Sequence, residues 1–408
     1  MDHLAQNTSQ PSYAPPNQAE DIIRKANEVY REQPQEALRL LRQVPVPGKL
    51  PEKLRGDFYL TKAKSYQVQN KSQQCITEAL MAEEIMNRTN DSSGLMSCYI
   101  LKGNAYYRLL ALTASAESYL QGMQLARKLG RKDAITAVTL NLGNIFAQQK
   151  DWTQANRYYQ DALIQYKAEN DPSMISYVYN NLGVIAEMTG KFSSALSNYN
   201  NALKIDIDRK DTLAISSDLC NISEVYSKTG KYTEALSGYR ESLLLAKVIQ
   251  NNEYIAQILS KKAECLHRMK GSRDSIKAWC TEVIQLFEKK ACDDLLVLRR
   301  AHALMAEVVS ESPNPRQAVA HFKAWRQLDS LIMAKESDQR LMEIQASYNS
   351  EHLQRKTDQL AFEKSLLQAQ HERLQATNMS LIISILLVIL AAVLVYIWKK
   401  PQRMSGQS

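Results

Sequence analysis

Residues 181–203 read NLGVIAEMTGKFSSALSNYNNAL. Ala195, Tyr199, Ala202 and Leu203 follow one another at steps of four, three and one, which is one face of a helix and not the alternation of a strand. Leu182, Gly183 and Ala186 form a second helical face upstream. Between the two lies Thr189-Gly190-Lys191, whose glycine can take the left-handed conformation that ends a helix. The stretch therefore predicts a helical hairpin. Gly183 and Ala195 are small enough for its two helices to approach closely, and Tyr199 fills the space towards the next hairpin.

The same pattern recurs at an offset of 40 residues. Asn141-Leu142-Gly143, Asn181-Leu182-Gly183 and Asn221-Ile222-Ser223 align, as do Trp152, Phe192 and Tyr232. Ala155, Ala195 and Ala235 follow, then Tyr159, Tyr199 and Tyr239. Gly103 with Tyr119 fits one unit upstream, and Ala263 with Trp279 one unit downstream. Fainter copies begin near Ala26 and Ala63, and a last one, after a small insertion, near Ala303. One buried tyrosine or more per unit accounts for 20 Tyr against 6 Phe. With 13 Gly and 11 Pro in 408 residues, turn residues are too few for a many-stranded β fold.

These residues resemble the tetratricopeptide repeat: a small residue on the first helix, an aromatic after the turn, then small–aromatic–small on the second. The common unit has 34 residues, and the six extra here lengthen the helices, as in kinesin-light-chain-like arrays. The resemblance implies an all-α solenoid of about seven hairpins over residues 21–333, with a concave groove that binds peptides or protein segments. It also singles out Asn141, Asn181 and Asn221. In tetratricopeptide proteins the matching position lines the groove, where an asparagine ladder holds a peptide backbone. The geometry is reasonable, because stacked helices advance about 10 Å, roughly three residues of an extended chain. An amide both donates and accepts, as a peptide unit requires. A structural asparagine bonding the neighbouring helix is the competing reading. Leu101 and Lys261 stand at the position in the flanking units, so the ladder has three rungs.

Outside the array, residues 1–20 are polar and carry Pro11, Pro15 and Pro16, which predicts a disordered lead-in without a secretion signal. Residues 334–378 predict a long charged helix. Leu353, Leu360, Leu367 and Leu374 recur every seven residues, but Thr357, Lys364 and His371 hold the alternate positions. Both a marginal homodimer seam over 353–374 and a single solvated helix fit. Residues 379–398 form an uncharged run of 20, about 30 Å as a helix, and predict one transmembrane helix before a basic tail, 399–408. Lys399, Lys400 and Arg403 lean towards a cytoplasmic C-terminal tail and an external solenoid, while the missing secretion signal fits a tail-anchored chain with its solenoid in the cytoplasm, so the side of the solenoid stays open.

Several functions are disfavoured. Net charge is +8, but the 51 Lys and Arg are dispersed and no nucleic-acid footprint emerges. The six cysteines are irregularly spaced and read as reduced core thiols. The six histidines form no ligand pair in sequence, so neither metal nor cofactor is expected. Thr189-Gly190-Lys191 mimics the end of a phosphate loop, but six residues separate Gly183 from Gly190 where four are needed. The expectation is a non-enzymatic, membrane-anchored scaffold that binds a protein or peptide partner. The order solenoid, charged helix, membrane span also resembles the sensor halves of Bacteroidetes tetratricopeptide histidine kinases and regulators. Their output domain is not expected here, because the chain stops at Ser408. A sensor subunit acting through a separate effector is the alternative.

Overall fold

The computed structural model describes residues 16–44, 47–310 and 316–337, with residues 370, 373, 375, 379 and 394. The chain divides into two units, Met1–Ala346 and Ser347–Ser408, and every element below lies in the first. Helices pair in chain order: α1 (Pro16–Val29) with α2 (Pro34–Leu41), α3 (Glu52–Val68) with α4 (Ser72–Thr89), and α5 (Ser92–Arg108) with α6 (Leu112–Lys128). Then come α7 (Lys132–Gln148) with α8 (Trp152–Glu169), and α9 (Pro172–Met188) with α10 (Phe192–Arg209). The pairs α11 (Thr212–Lys228) with α12 (Tyr232–Val248), and α13 (Asn252–Arg268) with α14 (Arg273–Glu288), complete seven hairpins. An eighth pair joins α15 (Leu295–Ser310) to helical residues 316–337, through an ion pair of Arg299 with Asp329 at 2.7 Å. The described residues contain no strand.

From α5 to α13 each odd-numbered helix starts 40 residues after the last. The turns explain this regularity. Every twentieth residue from Asn70 to Lys290 has positive φ, glycine at 130, 190 and 230 and another residue type elsewhere. At each such turn the chain closes on itself in the same way. Gly190 N–H donates to Glu187 O at 3.0 Å and Lys191 N–H to Ala186 O at 2.8 Å, which satisfies carbonyls the helix end would leave open. The following helix is often capped by a side chain, as when Asp171 accepts from Met174 N–H and Asp211 from Ala214 N–H.

Packing repeats with the same period. Tyr119, Tyr159, Tyr199 and Tyr239 are all buried, the first three lying over Gly103, Gly143 and Gly183 of their own hairpin. Tyr199 also belongs to a core with Ala186, Ala195, Ile222 and Val225, so it joins its own hairpin to the next. Each phenol finds an acceptor on the preceding helix: Asn104, Asn144, Glu187 and Glu224 in turn. A buried aromatic thus keeps its hydroxyl satisfied. Each hairpin packs on its sequence neighbours, as a solenoid requires.

The expected membrane localisation is corrected. Among the described residues no helix is long and apolar enough to cross a membrane, because the helices of the array are 8–18 residues long and interleave polar with apolar side chains. The run 379–398, on which that expectation rested, lies outside the described residues except for Met379 and Leu394. The seam 353–374 lies outside them too, apart from residues 370 and 373.

Candidate functional site

The first helix of each hairpin, here the A helix, presents one face away from its partner. On α9 the exposed side chains after Pro172 are Ser173, Tyr177, Val184 and Met188, spaced as one helical stripe. Asn141, Asn181 and Asn221 are half-buried at the edge of this face. Asn141 Nδ2 donates to Asn104 Oδ1 at 3.4 Å, and Asn221 Nδ2 to Asn180 Oδ1 at 3.4 Å, so both reach the preceding A helix. Asn181 Nδ2 is buried and has no hydrogen-bond partner among the described residues.

One polar part of the face spans α9, α11 and α13. An open pocket of about 420 Å³ lies there, lined by Tyr177 and Asn180 of α9, Leu213, Ser217 and Asp218 of α11, and Tyr254 of α13. The last turn of α10 adds Asp206 and Arg209. These side chains form a directed network. Asn221 donates to Asn180, and Asn180 Nδ2 donates to Asp218 Oδ1 at 2.7 Å. Asp206 accepts from Ser176 Oγ and from Arg209 Nη1 at 2.5 Å. Arg209 Nη2 lies 3.2 Å from Asp211, which also caps α11. Asp218 Oδ2 is buried and has no hydrogen-bond partner among the described residues.

The electrostatic consequence is specific to Asp218. Burial pushes its carboxyl pKa up from 3.8 to about 7. The bond from Asn180 opposes that rise, while Asp206 and Asp211 add to it. Asp218 is therefore poised to gain or lose a proton near neutral pH.

Neither Asp218 nor Asp206 was singled out by the repeat reading, yet the register carries the signal. Val138, Val178 and Ile258 stand at the position of Asp218, and Met86, Ala126, Tyr166 and Ala246 at that of Asp206. All of them are buried. Carboxyls have replaced core apolar residues at two points that adjoin where one hairpin meets the next. A second pair also escaped sequence spacing. His302 and His321 meet at 2.9 Å between their Nδ1 atoms, and burial holds both pKa values down. Among the described residues no group of three or more His, Cys, Asp and Glu is placed to hold a metal ion. All six cysteines are free and buried, and burial pushes the thiols of Cys75, Cys98 and Cys280 up to about 12, which keeps them protonated.

The tetratricopeptide repeat family matches residues 135–208, the α7–α10 region, and these residues carry such repeats. No curated protein matches the sequence. Among solved structures, the apo quorum sensor NprR from B. thuringiensis is similar, with a TM-score of 0.62 and 14% identity. That match covers 76% of this chain and 86% of that one. NprR in complex with its cognate peptide NprX matches at 0.52 and 13%, over 75% of this chain and 88% of that one. A signal transduction ATPase with numerous domains from Pyrococcus horikoshii, which carries a tetratricopeptide repeat sensor, matches at 0.56 and 20%. Here 66% of this chain is covered, and it spans 42% of the length of that protein. At these identities the likeness is one of fold.

Proposed function

We propose that this chain of tetratricopeptide repeats is a binding module without catalytic chemistry, which seats an extended segment of a protein or peptide partner along the face of its A helices. The observation that carries the reading is the open pocket across α9, α11 and α13, where exposed Tyr177 and Leu213 stand beside the buried Asp218, whose Oδ2 no donor among the described residues reaches. Exposed aromatic and aliphatic side chains supply contact area, and polar groups inside the rim fix orientation. A peptide backbone carries both the donors and the acceptors that such a surface lacks. In this reading Asn141, Asn181 and Asn221 hold the segment's backbone, and the pocket selects a side chain. NprR, similar in fold, has been solved with a cognate peptide, which supports a peptide as the kind of partner.

Selection of a displayed random-peptide library on the full chain tests the proposal. Enriched peptides should lose their binding when Tyr177 is changed to Ala, with the helical circular dichroism unchanged. A library that yields no enriched peptide, or peptides indifferent to Tyr177→Ala and to changes at the three asparagines, overturns it.

A further inference from the structure

We propose that the pocket between α9, α11 and α13 receives a cationic side chain, lysine or arginine, from the segment bound along the A helices, with Asp218 as its counter-charge. This rests on the binding reading above and adds the chemistry of the partner.

Three observations carry it. The first is the register. Asp218 is 1% exposed, at a position filled by Val138, Val178 and Ile258 in the neighbouring units. An aliphatic side chain would pack there at no desolvation cost, so the carboxylate is a local breach of an otherwise consistent pattern, and such breaches concentrate at functional sites. The second is the pairing. Arg209 already serves Asp206 and Asp211, and Asn180 serves Asp218 Oδ1, so no donor among the described residues reaches Asp218 Oδ2, and the Asp206 carboxyl beside it shares only a proton with Asp218. The third is the surroundings. Facing Asp218 are Asn180 from α9, Asp206 and Arg209 from α10, Asp211 at the start of α11 and Tyr254 from α13. Three carboxyls against one guanidinium repel an anionic guest. Tyr177 and Tyr254 also line the pocket, and aromatic rings attract a cation and pack against its aliphatic stem. An ammonium or guanidinium also replaces the proton that Asp218 otherwise holds, so binding releases that proton to solvent.

The test uses the full chain and three synthetic heptapeptide libraries, randomised except for a central Lys, Gln or Glu. The Lys library should be retained about tenfold better than the Gln library, and the Glu library least. Asp218→Asn, which preserves shape and removes charge, should bring Lys retention down to the Gln level. On the unmodified protein, Lys retention should rise between about pH 6 and pH 8, which needs no variant to fold. Equal retention of Lys and Gln libraries overturns the cationic pocket. If that retention still depends on Asn141, Asn181 and Asn221, the binding face itself stands. A Lys preference that survives in Asp218→Asn, or is flat with pH, also overturns it. If no library is retained, the binding reading falls and the cationic pocket falls with it.

Discussion

A β-carbon built on Gly183 would stand 2.5 Å from Cε1 of Tyr199, closer than any side-chain carbon can settle. The ring cannot swing away, because its hydroxyl donates to Glu187 at 2.8 Å and its faces are enclosed by the core between hairpins. Burial raises the phenol pKa, so the hydroxyl stays a donor. Gly183→Ala should therefore destabilise the array by about 1–3 kcal/mol, and Gly183→Leu by more. Thermal unfolding followed by circular dichroism checks this. An unchanged midpoint would remove Gly183 from the close contact.

The next unit solves the same problem differently. Ser223 stands where Gly183 stands one unit earlier, and Gly238 replaces Asn198 on the facing helix. A β-carbon on Gly238 would collide with Ser223 Oγ, which is held in place by donating to Leu219 O at 2.6 Å. Gly238→Ala should destabilise by about 1–3 kcal/mol, and the loss should shrink when Ser223→Gly is added. Additive effects in a double-mutant cycle would show that the two positions do not share one space.

The left-handed turns predict a gain. Lys150 and Lys210 sit at φ 61° and 57°, where glycine avoids the clash of a side chain with the backbone. Lys150→Gly and Lys210→Gly should each raise stability by roughly 0.5–1 kcal/mol, and Gly190→Ala should lower it by a similar amount. Urea unfolding midpoints of the three variants decide the matter, and a loss in both lysine variants would contradict the turn geometry.

How much of this was legible in the sequence depends on the distance over which residues meet. The hairpins could be read because Gly183, Ala195 and Tyr199 meet within one unit and recur 40 residues on. The turns at Lys150 and Lys210 could not be read from residue type, since lysine carries no turn preference. They follow only from the 20-residue spacing that helix length imposes. Asn141, Asn181 and Asn221 stood out through the repeated Asn-Leu-Gly element. Asp206 and Asp218 did not, because they meet where the end of one hairpin packs on the start of the next. Their signal was an acid in a register otherwise filled by apolar residues. The apolar run 379–398 pointed to a membrane, whereas no helix among the described residues is long and apolar enough to cross one.

Asp218 makes stability depend on pH. In the unfolded chain its carboxyl ionises near 3.8, and in the folded protein near 7. Between those values the native state holds a proton that the unfolded state has lost, so stability contributed by this group falls as pH rises from about 4 to 7 and then levels off. Asp218→Asn should lose that component and be the more stable protein at about pH 8. Urea titrations of both proteins across this window give the difference directly. Parallel curves would mean that Asp218 ionises normally in the fold.

The asparagine ladder gives the sharpest separation of binding from structure. Asn141 and Asn221 each make a long bond of 3.4 Å to the preceding A helix, which a better partner can replace, and Asn181 Nδ2 makes none among the described residues. If the three hold a bound backbone, each rung removed should cost about 0.5–1.5 kcal/mol. The triple Ala variant should then bind its selected peptide roughly tenfold to a thousandfold more weakly, while single variants lose little. Folding should survive, because Ala is the better helix former and the lost interhelical bonds are poor ones. If the asparagines are struts between helices, the effects reverse: the melting temperature drops and affinity holds. Both quantities measured on the same triple variant distinguish the two, and a destabilised protein that binds at full strength would end the ladder.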